Sequence, residues 1–308
     1  MTMTRRTALT AGAALPLASL VPVTVSAQTS EATDMPLHHS FMLGNMRITV
    51  LLAGQSPMQD PHGTFGLNAS DEEFRELSEE NFIPADRALG NYCPVVVETG
   101  NAVILFDTGM NPDGLKAALA SAGMGPETIR TVVITHMHGD HIGGLSADGK
   151  LTFPDADLVT GRAEMEHWSN AGGETFEAKV RPFEDRFRLL EDGEEVIPGV
   201  TAMLAAGHTP GHMTFMLNED GGQRLLLAAD TANHYVWSLA RPDWEVRFDM
   251  DKEAASQTRR RVLEMLAEER LPFIGYHMPF PSVGYVAQTE DGFRFMPATY
   301  QFKLTEAE

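Results

Sequence analysis

The sequence predicts an α/β protein, strands inside and helices outside, and three observations carry that prediction. Short apolar, β-branched runs recur at 94–99, 102–107 and 131–135, each too short for a helix and typical of buried strands. Amphipathic stretches alternate with them, most clearly at 252–270, where Ala255, Val262, Leu263 and Leu266 share a face. No internal repeat and no linker rich in Gly, Ser or Pro divides the 308 residues, so one compact domain is expected.

In chain order, residues 1–27 read as an export signal. Arg5-Arg6 precedes an apolar stretch broken by Pro16 and Pro22, and Val25-Ser26-Ala27 supplies the small residues of an A-x-A-like cleavage site. Thr4-Arg5-Arg6-Thr7-Ala8-Leu9 resembles a bacterial twin-arginine signal, whose machinery exports folded proteins; a general secretory signal is the alternative. Both readings place the mature protein in the periplasm or outside the cell. The apolar run is too short and interrupted for a membrane span of ~20 residues. Residues 28–44 read as a polar leader and 45–308 as the folded domain, opening with a strand at 47–52. Residues 56–92 show little regular structure around an acidic helix at 70–79, which makes them a candidate lid or a solvated excursion. Gly100-Asn101 marks a hairpin between 94–99 and 102–107, and 112–122 reads as a helix. Further strands are expected at 157–160, 201–205, 213–217 and 224–228. The 252–270 helix is capped by Asp251 and stopped at Leu271-Pro272.

Charge and cysteine content narrow the chemistry. With 23 Lys and Arg against 43 Asp and Glu, the net charge is −20, which argues against nucleic acid or an anionic membrane as partner. The single cysteine, Cys93, rules out an intrachain disulfide and a Cys-rich zinc site. A metal would have to be held by carboxylates and by members of a set of 11 histidines.

The decisive stretch is His136-Met137-His138-Gly139-Asp140-His141, which follows the 131–135 strand. Three imidazoles and a carboxylate packed into six residues need a partner for their lone pairs, and a divalent cation supplies it. His136 and His138, two apart on a chain leaving a strand, can chelate one metal. Asp140 and His141, past the turn at Gly139, can reach a second, and Gly143-Gly144 lets the backbone tighten into a following helix. Three downstream segments add polar residues at strand ends or in a tight loop: Gly207-His208-Thr209-Pro210-Gly211-His212, Leu227-Ala228-Ala229-Asp230 and Gly275-Tyr276-His277.

Together these motifs resemble the metallo-β-lactamase superfamily over about 45–300. The resemblance implies an αββα sandwich, two mixed sheets flanked by helices, with two divalent metals at one edge, zinc being the cation that His and Asp ligands suit. Carried over, His136, His138 and His212 would bind the first metal, Asp140, His141 and His277 the second, and Asp230 would bridge both. His208 would support them, and Asp107 would prop the metal loop by hydrogen bonds. The implied reaction is hydrolysis by a metal-bridging hydroxide, with Asp140 or Asp230 taking up the released proton.

Within the superfamily, Asp230 stands where some β-lactamases carry a cysteine, and His138 where flavodiiron proteins carry a glutamate. His277-Met278-Pro279-Phe280-Pro281 and Phe248-Asp249-Met250-Asp251 resemble methyl parathion hydrolases, and the aspartate-bridged site resembles N-acyl-homoserine-lactone lactonases. Asn233 occupies the position where those lactonases usually have a tyrosine. These likenesses imply a hydrolase of small lactones or neutral esters, phosphotriesters included. Amide or thioester hydrolysis, a mononuclear iron sulfur dioxygenase and a metal-stabilised binding protein are the alternatives. Phe65, Trp168, Trp237, Asn233 and His234 are candidate pocket residues. A small-molecule substrate and the export machinery are the expected partners; the oligomeric state, a dimer included, stays open.

Overall fold

The computed structural model describes residues 36–303, so the export signal and most of the leader lie outside the described residues. The first half of the chain builds one seven-stranded sheet. Strands β1 (His38–Leu43) and β2 (Met46–Leu51) form a hairpin; β3 (Gly54–Gln59), α1 (Asp71–Glu80) and β4 (Arg87–Tyr92) make an excursion; and the sheet resumes with β5 (Val95–Glu98) and β6 (Val103–Phe106). Helix α2 (Pro112–Ser121), β7 (Thr131–Ile134), α3 (Gly139–Ile142), the short pair β8 (Ser146–Ala147) and β9 (Lys150–Leu151), β10 (Asp157–Gly161), α4 (Arg162–Ala171), α5 (Glu174–Lys179) and β11 (Phe187–Leu190) follow. The sheet order is β1-β2-β5-β6-β7-β10-β11, antiparallel up to β6 and parallel from β6 onward.

The second half builds a second seven-stranded sheet in simple sequence order. It runs β12 (Glu195–Ile197), β13 (Val200–Leu204), β14 (Met213–Asn218), β15 (Arg224–Ala229), β16 (Phe273–Gly275), β17 (Val283–Gln288) and β18 (Phe293–Pro297). Helices α6 (Trp237–Ala240) and α7 (Lys252–Glu268) lie between β15 and β16, whose pairing is the parallel one of this sheet. Asp251 caps α7 by accepting a hydrogen bond from the Ala254 amide at 3.0 Å.

Burial explains the four layers. Strand residues alternate in direction, so a sheet buried on both faces needs two apolar sets. Val97, Ile104, Phe106 and Val133 meet Phe215, Leu217, Leu225 and Leu227 between the sheets. Leu105, Val132, Ile134 and Leu158 face α2 and its neighbours on one outside, and Leu226 and Phe273 face Val262, Leu263 and Leu266 of α7 on the other. The αββα sandwich is therefore present. No helix among the described residues is long and apolar enough to cross a membrane.

Two expectations need correction. The leader was set at 28–44, yet β1 occupies His38–Leu43; its polar opening hides Phe41 and Leu43, which alternate inward and pair with β2. Residues 56–92 are not largely irregular. Six residues of β3 pair with six of β4, and Phe65, Phe74 and Leu77 bury against Trp237, Trp244 and Val246. Pro57 and Gly90 masked these strands, because neither favours a ladder and the pairing spans a long connection.

Candidate metal centre

The functional side chains converge where the two sheets end. β7 delivers His136 and His138; α3 carries Asp140 and His141; the β13–β14 loop carries His208 and His212; β15 ends at Asp230; and β16 leads to His277. The Met213 amide donates to the Thr135 carbonyl at 3.1 Å, tying the edge of one sheet to the ligand loop of the other. Glycine makes part of this approach possible. A Cβ at Gly144 would lie 2.0 Å from the Thr108 carbonyl oxygen, and one at Gly143 2.1 Å from that of Met110. These glycines therefore pack the α3 segment against the Asp107 loop; no helix follows them as expected, since α3 ends at Ile142.

His136, His138 and His208 bring a ring nitrogen each within 4.8 Å of one another, as do the ligand atoms of His136, His141 and Asp230, and those of Asp140, His141 and His277. Asp230 lies between the groups, with Oδ1 3.2 Å from His141 Nε2 and Oδ2 3.1 Å from His277 Nε2 and 3.3 Å from His208 Nε2. Both histidines of the Gly-His-Thr-Pro-Gly-His loop, the expected ligand His212 and its expected support His208, stand at the cluster. His208 Nε2 stands 2.9 Å from His138 Nδ1 and 3.2 Å from His136 Nε2, inside the cluster. His212 is fully buried beside it: its Nδ1 faces the Ala205 carbonyl at 3.1 Å, and its Nε2 points to Asp230, accepting from that residue's amide at 3.1 Å.

Three of the rings, those of His141, His277 and His208, are held from behind, which fixes the nitrogen each turns to the cluster. Asp107 Oδ2 lies 2.8 Å from His141 Nδ1, and the same carboxylate accepts from the amide and hydroxyl of Thr135. The Asn91 carbonyl lies 2.9 Å from His277 Nδ1, and Asp249 Oδ1 2.8 Å from His208 Nδ1. Asp249 is itself paired with the fully buried Arg259 guanidinium at 2.6 Å. The Tyr276 hydroxyl donates to the Asp140 carbonyl at 2.6 Å, and its ring lies 3.9 Å from that of His141.

The electrostatics divide the imidazoles. Burial and the neighbouring His141 hold His136 well below its ordinary value, and burial with His208 brings His138 down to about 4. His212 falls to about 3 through burial and His208. Burial alone would lower His208 as well, but Asp230 and Asp249 outweigh it and raise it to about 9. Against the same burial, Asp230, Asp107 and Asp140 hold His141 well above its usual range, and Asp230 raises His277. Burial would raise Asp230, but His277 and His141 draw it well below the carboxylate range.

The residues fit a cation. His141 Nε2 and Asp230 Oδ1 are both buried, face each other at 3.2 Å and make no hydrogen bond among the described residues. With Nδ1 of His141 committed to Asp107, a positive charge between Nε2 and Oδ1 satisfies both atoms: a proton on His141 in the metal-free chain, or a divalent cation in its place.

A cavity of about 580 Å³ opens onto this cluster, lined by His138, Asp140, His208, Asp230 and His277 on one side and by Met58, Phe65, Leu89, Met110 and Phe248 on the other. Phe65, Asn233 and His234 line it as expected, and Asn233 also donates to Asp230 Oδ2 at 2.9 Å. Trp168 and Trp237 are not among its lining residues. Trp168 packs behind His138 with its indole N–H donated to Glu164, and Trp237 is buried beside Phe74. Asp249, Arg259, Glu164, Tyr276 and Asn91 escaped sequence reasoning as supports of the cluster; Asp249 alone carried a signal, in the Phe-Asp segment before α7.

A four-layer αββα sandwich with a His/Asp cluster at the sheet ends, open to a cavity, defines a metal-dependent hydrolase. The sequence profile of the metallo-beta-lactamase superfamily matches residues 92–273, and the chain belongs to that superfamily. An N-acyl homoserine lactonase of Bacillus cereus is 25% identical over 186 residues, covering 60% of this chain and 67% of that one. A second N-acyl homoserine lactonase, from a Bacillus species, is 26% identical over 208 residues, covering 59% and 79%. Among solved structures, the dizinc quorum-quenching lactonase AidC superposes with a TM-score of 0.80 at 23% identity, covering 87% of this chain and all (100%) of that one. The hydrolase AbOPH gives 0.77 at 23% identity, covering 87% and 99%.

Proposed function

We propose that the protein is a two-metal hydrolase of lactones and neutral esters, phosphotriesters included. The observation that carries this reading is the buried, facing pair of His141 Nε2 and Asp230 Oδ1 at the centre of a His/Asp cluster that opens onto a largely apolar cavity. In it, His136, His138 and His208, with His212 as the alternative expected from the sequence, would hold one cation, Asp140, His141 and His277 would hold the other, and Asp230 would serve both. Two divalent cations, zinc by the chemistry of the ligands, supply Lewis acidity and a water whose pKa falls from ~15.7 towards ~7.

The chain's own residues do the rest. Asp107, Asn91 and Asp249 fix which nitrogen of His141, His277 and His208 meets the cluster. Asp140 lines the cavity and is the more exposed carboxylate, 22% against 4% for Asp230. It is the group placed to take up the proton released on attack and return it to the leaving oxygen. Lys179 is the single Lys or Arg lining the cavity, and its Nζ donates to the Ser146 carbonyl at 2.6 Å. A cavity with no free Lys or Arg side chain suits a neutral, partly apolar substrate rather than a polyanion. The lactonase relatives support the lactone reading.

One metal-loaded preparation assayed on a lactone, an aryl ester, a phosphotriester and a cephalosporin tests this. Lactone or aryl-ester turnover should exceed cephalosporin turnover by at least ~10-fold in kcat/KM, a barrier difference of ~1.4 kcal/mol. A cephalosporin as best substrate would overturn the choice. The export reading of residues 1–27 belongs to the same proposal: Arg5→Lys with Arg6→Lys should hold the precursor inside the cell, and continued export would assign the general secretory route.

A further inference from the structure

Glu164, the third residue of α4, is fully buried and contributes nothing to the metal cluster or to the cavity lining. Its carboxylate nevertheless touches both loops that supply His136, His138 and His208. Oε1 accepts from the Met137 amide at 2.8 Å, between His136 and His138, and from the Trp168 indole N–H at 2.7 Å. Oε2 accepts from the Thr209 hydroxyl at 2.7 Å, next to His208, and from the Gly211 amide at 3.0 Å. The backbones are pressed together at the same point, since a Cβ on Gly211 would lie 2.0 Å from the Glu164 amide nitrogen.

We infer that Glu164 is a positioning residue that sets the distance between the His136–His138 strand end and the His208 loop, and so the affinity of the three-histidine site. The physical reason is geometric. The strand end belongs to one sheet and the loop to the other, so nothing local in sequence relates them. A carboxylate has acceptor sites for four donors and no donor of its own. One of these four donors comes from the His136–His138 strand end, one from Glu164's own helix and two from the His208 loop. An amide in the same place would turn an NH₂ group towards at least one of the donors. The Thr209 hydroxyl can rotate to accept from it, but the Gly211 amide cannot. Supports of this kind carry a 10–100-fold effect on metal affinity when removed.

The inference rests on the metal reading proposed above, and the test separates the two. The full exported chain, stripped with a chelator, is titrated with Zn²⁺ against a chromogenic competitor and with Co²⁺ by its visible spectrum. Wild type should take up two ions; uptake of none would overturn the metal reading itself. In Glu164→Gln one of the two affinities should fall by 10–100-fold and the Co²⁺ band of that site should shift, while the other site changes by less. At saturating metal, kcat should fall more than KM rises. A folded Glu164→Gln chain that binds both ions with wild-type affinity and spectrum would overturn the positioning role. Should that variant not fold, Thr209→Val removes one donor at nearly constant volume; a 3–10-fold loss at one site is expected, and unchanged affinity at both would overturn the proposal equally.

Discussion

The metal cluster and the far wall of the cavity are built on opposite terms. His136, His141 and His212 are fully buried, and the rings of His141, His208 and His277 are each held by a carboxylate or carbonyl behind them. Across the cavity, Leu89 is 54% exposed, Met110 48% and Phe248 43%, and the hairpin that carries Leu89 pairs with no strand of either sheet. One side is over-determined by hydrogen bonds that span both sheets, whereas the other is an apolar surface assembled from a two-stranded ribbon and the loops that carry Met110 and Phe248. Changes on the first side should alter whether chemistry occurs, and changes on the second should alter which substrate is preferred.

The largest effect should come from Asp230→Ala. A carboxylate set between both groups serves both, so metal content should fall at both sites and kcat/KM by roughly 10³-fold or more, about 4 kcal/mol. Elemental analysis showing an unchanged metal load would remove Asp230 from the bridging position. Next comes the histidine pair of the β13–β14 loop. His208→Ala should lower the load from two ions towards one per chain, while His212→Ala should keep both and instead lower thermal stability through the lost ties to Ala205 and Asp230. The reverse result would restore the order expected from the sequence.

A smaller effect is expected from pH on the metal-free protein. His208, raised to about 9, and the raised His141 and His277 add stability below the unfolded histidine value of ~6.5, and lose it as pH rises towards 9. His138 and His212, lowered to about 4 and 3, add stability above ~6.5 and lose it as pH falls through those values. The thermal midpoint of the metal-free chain should therefore peak near pH ~6.5. Since a cation displaces the protons held on His141, His208 and His277, metal uptake should release protons and tighten as pH rises. A midpoint flat between pH 6 and 9 would count against these assignments. The smallest effect is on the wall: Leu89→Ser should raise KM for long-chain acyl substrates about 5-fold, the loss of about 1 kcal/mol of apolar contact, and leave short-chain turnover unchanged. An equal loss for both chain lengths would place Leu89 outside the substrate's path.

The contiguous motifs were legible because their geometry is local. His136, His138, Asp140 and His141 leave one strand end together, and Asp230 and His277 each close an apolar run, so residue type and strand end suffice to place them. Alternation and β-branching marked β5, β6 and β7 for the same reason. The Gly-His-Thr-Pro-Gly-His loop offered no such cue. Both of its histidines lie in the same Gly/Pro turn, and Asp249, which braces His208, stands 41 residues away in the chain. Trp168 had the right chemistry for a pocket wall, but its indole N–H is bound to Glu164 on the other side of His138.

The sequence by itself determined the layers, the acidic surface and the set of ligand types, because hydrophobic periodicity and residue chemistry act over a few neighbouring positions. Only the tertiary structure decided that β3 pairs with β4 across Pro57 and Gly90, that Asp249 and Arg259 brace His208, and that Glu164 spans the two ligand loops. Those outcomes depend on backbone ladders, buried carboxylates and glycine-permitted contacts between segments far apart in the chain, and no local pattern records which distant partner a side chain will meet.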